Sequence, residues 1–491
     1  MTNNLNLLTT EEFFLSSDPN LDKDMVTLID HYTGDIVNYQ KLTGTVSDGC
    51  IYRVKANGIS YKRMITGDIS VRICGATGDG NTDDAPKIQT LINEMEAGQV
   101  LNLENKRYMI LSPLQINKAI KITGSSTRSS TTYPPFIITN NNDGIIVNVS
   151  GVVLEGFGIY NATYFTTTPN SFTGIKVNGT STNHAYDIIL RDLLINGYKT
   201  ALEVNYLWSS QIQTLKTNYC QVGILVKGES VNNEISNNTS LSFEFNTPDS
   251  KGIWFYDDTT KEGWRIIDTL IYGAYDGIYA EKTSHVNVMN SMIDFCQHIG
   301  IVISDECYNW NINSNYIALG KPGYGLYLAN NVENPLMVRG NKIIDNDILS
   351  YNTVVDNQIS IGINIVGAGS LYDDVRGNSV KNFKVCDIKA NEDLKTTISN
   401  NKCLSDIEFN IIGNFITNDN LGTVYYQNLN DFLHLGKVKI TYADTYPSTS
   451  DPKWKRGDII LNVGPSVNGP IGWVNVTDGT NTWKPFGVIT N

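Results

Sequence analysis

Two acidic side chains, Glu244 in "SFEFN" and Asp294 in "SMIDF", fall at matching places in two strand-like phrases. Paired carboxylates on one surface suit glycoside hydrolysis, where one protonates the glycosidic oxygen and the other activates water. Placed two coils apart at strand spacing, their backbones would be separated by about 9 to 10 Å. Leaning side chains then reach the roughly 6.5 to 9.5 Å expected of an inverting pair. Glu244 lies between Phe243 and Phe245, the kind of apolar neighbours that keep a carboxyl protonated. Asp268, in "RIIDTLIY", offers Asp294 a partner at shorter range, and Glu281 stands in an adjacent column. Near these acids fall Trp254, Tyr256, Trp264, Tyr272, Tyr275 and Tyr279, whose faces could stack on the CH-rich faces of sugars. The same rings could instead pack against a neighbouring subunit.

Other chemistries have weaker support. His184, His285 and His298 lack metal-ligand spacing, so neither a metal site nor a cofactor is expected, beyond an opportunistic Ca²⁺ at an Asp-rich turn. No GxSxG nucleophile motif is present, which disfavours an esterase. A polysaccharide lyase would need a Lys, Arg, Tyr or His base beside a neutralised uronate, and the basic residues do not gather in one column. The stretch "GATGDGNTDDAPKIQTLI" (75–92) has no Lys-Ser or Lys-Thr after its glycines and no EF-hand spacing. It reads as a fold signal in which Thr82 or Asp83 caps a helix over 84–97. Ile88, Leu91, Ile92 and Met95 then share one apolar face that plugs the end of the body.

That body is a repeat. GIKV (174), ALEV (201), GILV (223), GIWF (252), GIYA (277), GIVI (300) and GLYL (325) recur at intervals of 22 to 29 residues. Each copy is accompanied by a second alternating phrase and by turns rich in Asn, Gly and Ser. Repeats this short, with no helical segment between them, predict stacked coils of a parallel β-helix and an all-β fold. Residues 1–70 read as an N-terminal β-rich attachment or capping region, 71–425 as the solenoid, and 426–491 as a small C-terminal β-domain for trimerisation or carbohydrate binding.

With 50 acidic against 37 basic residues, the net charge of −13 and the lack of a basic stripe argue against nucleic acid. No apolar run long enough to span a membrane is present, no signal peptide is visible, and seven cysteines without CxxC pairs suggest reduced, packed thiols. The chain is expected to fold in a reducing cytosol.

The 75–92 motif, followed by "GQVLNLENKRYMI" and "IKITGSS", resembles the entry segment of pectate-lyase-like right-handed β-helices, in particular bacteriophage tailspike depolymerases. The C-terminal "GWV…W…FG" phrase is similar to the terminal module of such spikes. The resemblance implies a homotrimer, joined through its N-terminus to the phage tail or baseplate and assembled in the host cytoplasm. It also implies endo-acting cleavage of a capsular or O-antigen polysaccharide at the bacterial surface. Outward Val302, Tyr316 and Tyr327 suit a three-fold bundle, with the groove either on one chain or between chains. A lyase on the same fold, a non-catalytic adhesin and a purely structural spike are the alternatives.

Overall fold

The computed structural model describes residues 7–124, 136–163, 171–244, 247, 249–256, 258–304, 306–321, 323–329, 340–351, 361–366, 371–383, 386–391, 395–403, 407–410, 424–426, 433–435, 438–443, 456–462, 464–477 and 482–488. The chain forms two compact units, Met1–Leu270 and Ile271–Asn491.

The first unit opens with the helix Thr10–Leu15, closed by a reciprocal Thr9–Glu12 capping box. An antiparallel sheet follows, in spatial order Met25–Ile29, Ile36–Lys41, Ser60–Arg63 and Tyr52–Val54. Its core is aromatic, with Phe13 set edge-on to Tyr61 at 5.3 Å and Phe14 edge-on to Tyr39 at 5.2 Å. The 75–92 motif is engaged throughout in local structure. Asp79 accepts the amides of Asn81 and Thr82, which lower its pKa to about 2. Asp84 precedes the helix Ala85–Glu94 but does not cap it, because its carboxylate is turned back to the amides of Thr77 and Gly78. Asp83 accepts the Ala85 amide instead. The helix is shorter than 84–97, since Met95 leaves it with extended geometry. Its buried face packs against Val71–Cys74 and the strand Leu114–Ile116.

From Ile69 onward, each coil adds short strands to three parallel sheets. Alternation turns one aliphatic of each strand inward, so Leu101, Ile122, Leu154, Leu190, Ile212, Ile235 and Ile266 stack in register and are all buried. Each contributes roughly 1.5 to 3 kcal/mol relative to exposure. The small residue of the repeat has a steric cause in the third sheet. A Cβ on Gly144 would lie 2.3 Å from the Gly174 carbonyl oxygen, and one on Gly223 would lie 2.6 Å from that of Gly252.

The second unit is built the same way, and Gly277, Gly300 and Gly325 each face the carbonyl of the glycine one coil on. Its turns carry buried amide ladders. Asn315, Asn346 and Asn378 each donate a backbone N–H to the side-chain oxygen of the next asparagine, ending at Asn401, with distances of 3.0 to 3.1 Å. Their side-chain NH₂ groups also reach strand carbonyls, so the buried polar atoms of the ladder are paired. A C-terminal sheet runs in the order Leu433–Leu435, Val438–Ala443, Ile459–Asn462, Pro470–Asn475 and Trp483–Val488, packed on Ile460, Trp473 and Trp483. Cys50, Cys74, Cys220, Cys296, Cys307 and Cys403 are buried thiols outside any disulfide.

One ladder ends on an acid. Asn341 donates its backbone and side-chain N–H groups to Asp373 Oδ1, while Oδ2 is buried without a partner. Burial pushes this carboxyl up to about 7, against about 3.9 for an unfolded aspartate. The folded state therefore binds the proton more tightly. Its stability is fully present below about pH 4 and falls as pH rises through about 7. Asp373→Asn should raise the thermal unfolding midpoint at pH 8, by an amount worth roughly 1 to 3 kcal/mol, and leave it nearly unchanged at pH 4. Calorimetry at the two pH values checks this, and equal midpoints at pH 8 would refute the burial of a strained carboxyl.

Candidate functional site

Asp294 is set by a fault in the ladder. In the second sheet of the second unit, Met292–Cys296 pairs with Tyr316–Leu319, with Met292↔Tyr316, Ile293↔Ile317 and Cys296↔Leu319 in register. Asp294 and Phe295 together oppose one partner position, a β-bulge of the kind that re-aims side chains near functional sites. Phe295 adopts φ 58° and lies over Gly320, where a Cβ would come within 2.5 Å of its ring. Rings from three coils then follow one another: Tyr272 to Phe295 at 6.0 Å, and Phe295 to Tyr351 at 5.2 Å. The Tyr351 hydroxyl meets that of Tyr316.

This aromatic wall half-buries Asp294. Burial raises its pKa, while the Phe295 amide and the Tyr351 hydroxyl pull it down by less. Its Oδ1 is buried without a partner. Asp347, in register with Tyr316 one coil further on, faces the same surface and is paired with Lys381 at 3.1 Å. The Tyr316 hydroxyl pKa is raised, by burial first, then by Tyr351 and by the carboxylates of Asp294 and Asp347.

His298 pairs with a different acid. Its Nδ1 lies 2.9 Å from Oδ1 of Asp276, a carboxylate only 5% exposed, and its ring stacks on Tyr275 at 4.7 Å. Nearby on the third sheet, the Tyr279 hydroxyl is 3.4 Å from Glu281, and its pKa is pushed up to about 12 by burial and then by Glu281 and Asp276.

The remaining expected residues belong to the first unit. Trp254 and Tyr256 form an edge-on pair at 5.1 Å on the outward third sheet, where Tyr256 is 39% exposed. Lys251 lies over the Trp254 ring and Lys227 over that of Tyr256, at 5.0 and 5.8 Å. Trp264 is not a surface ring. It is fully buried, edge-on to Phe255, and donates its indole N–H to the Ser230 carbonyl, so it belongs to the core. Glu244 is also displaced from its expected column. The register Lys216↔Ser240 and Thr217↔Leu241 puts Ser242 in line with Asn218, leaving Glu244 on an exposed turn where its carbonyl accepts from Thr247. Phe243 is buried, and Phe245 lies outside the described residues. Asp268 occupies an exposed left-handed corner, φ 49°, rather than a strand position.

Sequence reasoning missed Phe295, Asp347, Tyr351 and the Asp276–His298 contact. The phrase "NDILSY" at 346–351 carried a signal for two of them, since its alternation matches "NYIALG" at 315–320. Among the described residues no three His, Cys, Asp or Glu side chains gather as a metal site, and no helix is long and apolar enough to cross a membrane.

Residues 200–373 match the family described as right handed beta helix region. The tail spike protein of Shigella phage Sf6 is 21% identical over 317 residues, covering 59% of this chain and 49% of that protein. This chain spans about half, or less, of the length of the curated relatives it matches. The enzymatically active domain of tailspike protein 2 from bacteriophage CBA120 superposes with a TM-score of 0.51 at 14% identity, over 94% of this chain and 67% of that one. The A-module of a mannuronan C-5 epimerase from Azotobacter vinelandii gives 0.51 at 12% identity, over 72% of this chain and 99% of the module. With its three parallel sheets and its family match, this chain has the right-handed parallel β-helix fold, and it shares that fold with phage tailspike proteins.

Proposed function

We propose that this chain is part of a phage tailspike that binds a bacterial capsular or O-antigen polysaccharide and hydrolyses its internal glycosidic bonds. The observation that carries this reading is Asp294, a carboxyl whose pKa is raised by burial against an aromatic wall on an outward sheet face. Asp294 protonates the glycosidic oxygen as the bond to the anomeric carbon breaks. Asp347 takes a proton from the water that attacks that carbon. Two coils separate the backbones of these acids by about 10 Å, a span that leaning side chains adjust towards the roughly 6.5 to 9.5 Å of an inverting pair. Tyr272, Tyr275 and Tyr279, with Glu281, border the same unit's outward face, while Trp254 and Tyr256 offer a sugar-stacking surface in the first unit. The tailspike relatives support the assignment to a virion tail; on this reading the chain works as a homotrimer attached through its N-terminus.

A second reading, elimination from a uronate-containing glycan, draws on the Asp276–His298 pair. A buried carboxylate at Nδ1 leaves the other imidazole nitrogen of a ring that is 40% exposed free to act as a base.

The two readings separate by product. Incubation with a panel of purified capsular polysaccharides should yield saturated oligosaccharides with no new absorbance near 235 nm. Asp294→Asn and Asp347→Asn should each lower kcat by about 100-fold or more. An unsaturated product that disappears with His298→Gln would replace the hydrolase by the lyase.

Asp294→Asn should also melt no lower than the parent at neutral pH. A raised carboxyl pKa makes the native state less stable as pH rises through it, and the amide removes that penalty. Activity should fall on the alkaline side as Asp294 loses its proton, a limb that a pH–rate profile would reveal.

A further inference from the structure

A second group of rings stands in the first unit and includes no acid given a role above. The strands Ala185–Tyr186 and Leu207–Trp208 pair as a small parallel sheet on two successive coils, with Tyr186 and Trp208 in register. The His184 ring lies 4.7 Å from Trp208 and 5.9 Å from Tyr206, and the Tyr186 ring lies 5.8 Å from Trp208.

Three of these residues are tied to neighbouring coils. The Trp208 indole N–H donates to the Glu229 carbonyl at 2.9 Å, and the Tyr186 amide donates to Ser150 Oγ at 2.9 Å. Tyr206, at φ 49°, lies against Gly228, where a Cβ would be 2.5 Å from its ring. The backbone N–H of Tyr206 bonds to the Lys227 carbonyl, and the Lys227 ammonium lies over Tyr256. Lys227 thus contacts both the Tyr206 backbone and the Tyr256 ring.

It is also amphipathic in a way that a packing core is not. Tyr186 is 39% exposed, Trp208 and Tyr206 are half-buried, and hydroxyls and an amide from Thr180, Thr182 and Asn183 stand in the adjoining turn. Fixed aromatic faces edged by hydroxyls and amides match the apolar face and polar rim of a pyranose ring.

We propose that His184, Tyr186, Tyr206 and Trp208 form an accessory carbohydrate platform, which holds pyranose units of the polysaccharide and includes none of the residues assigned to bond cleavage. This rests on the reading of the chain as a polysaccharide-binding spike and extends it with a site that takes no part in the chemistry. Two linked contact surfaces on one polymer raise avidity, because the second contact is made at the effective concentration set by the first.

The test is affinity electrophoresis of the full chain through gels containing each of a panel of purified capsular polysaccharides, with cleavage products followed in parallel. Trp208→Ala should weaken retention by roughly threefold to tenfold, the loss of one stacking face. Tyr186→Ala, which removes an exposed ring and leaves Trp208 anchored, should do the same if Trp208→Ala fails to fold. Tyr219→Ala, an exposed ring elsewhere in the unit, should change nothing. Retention by the parent without any product, still weakened by the platform variants, would sink the hydrolase and leave the platform standing. Unaltered retention in Tyr186→Ala and Trp208→Ala overturns the platform, whatever the cleavage result. A changed sedimentation coefficient in these variants also overturns it, since the rings would then be a contact between copies.

Discussion

Hydrogen bonds between parallel strands hold neighbouring coils about 4.8 Å apart, and at that spacing the third-sheet backbones approach too closely for a side chain at their glycines. Gly144, Gly223, Gly277, Gly300 and Gly325 each face a carbonyl oxygen of the next coil at a distance no Cβ could accept. Once the coils are seated at this spacing, like positions fall directly above like positions. Inward aliphatics then form continuous columns, and buried asparagines can pass hydrogen bonds from coil to coil.

The same regularity governs the outer surface, where charges and rings are repeated at fixed intervals. Lys121 and Arg191 both pair with Glu155, and Lys176 and Lys227 both pair with Glu203. The cations of these ladders are a third to a half exposed, whereas Glu155 and Glu203 are only 14% and 11% exposed, each held between two of them. An outward acid on such a surface is ordinarily free to ionise. Asp294 differs because the ladder slips by a residue beneath it and Phe295 and Tyr351 close over it. Its raised pKa arises at a local exception to the repeat.

Asp373 shows what the regular part of the structure resists. A carboxyl in a slot suited to an amide keeps one oxygen unpaired and holds its proton to about pH 7. Asp294 is penalised for the same physical reason, desolvation of the charged form. The difference lies in access, since Asp373 is sealed among strands whereas Asp294 lies on an outward, half-open face.

The parallel β-helix was legible in the sequence because it depends on local rules. A small residue every coil, an aliphatic beside it and a polar turn suffice, and the third-sheet columns Glu203–Leu225–Trp254 and Tyr279–Val302–Tyr327 follow from counting alone. The candidate site was only partly legible. Asp294 and the tyrosines near it could be named, but counting misplaced Glu244 by the two residues its phrase runs past the strand. It also put Trp264 on the surface, although the turn folds its ring inward against Phe255. The bulge at Asp294–Phe295, the arrival of Tyr351 from two coils on and the Asp276–His298 contact came only with the tertiary structure. Period-two alternation fixes which face a strand residue takes, whereas a bulge or corner resets that count, and what lies above a residue is set by the stacking of coils distant in sequence.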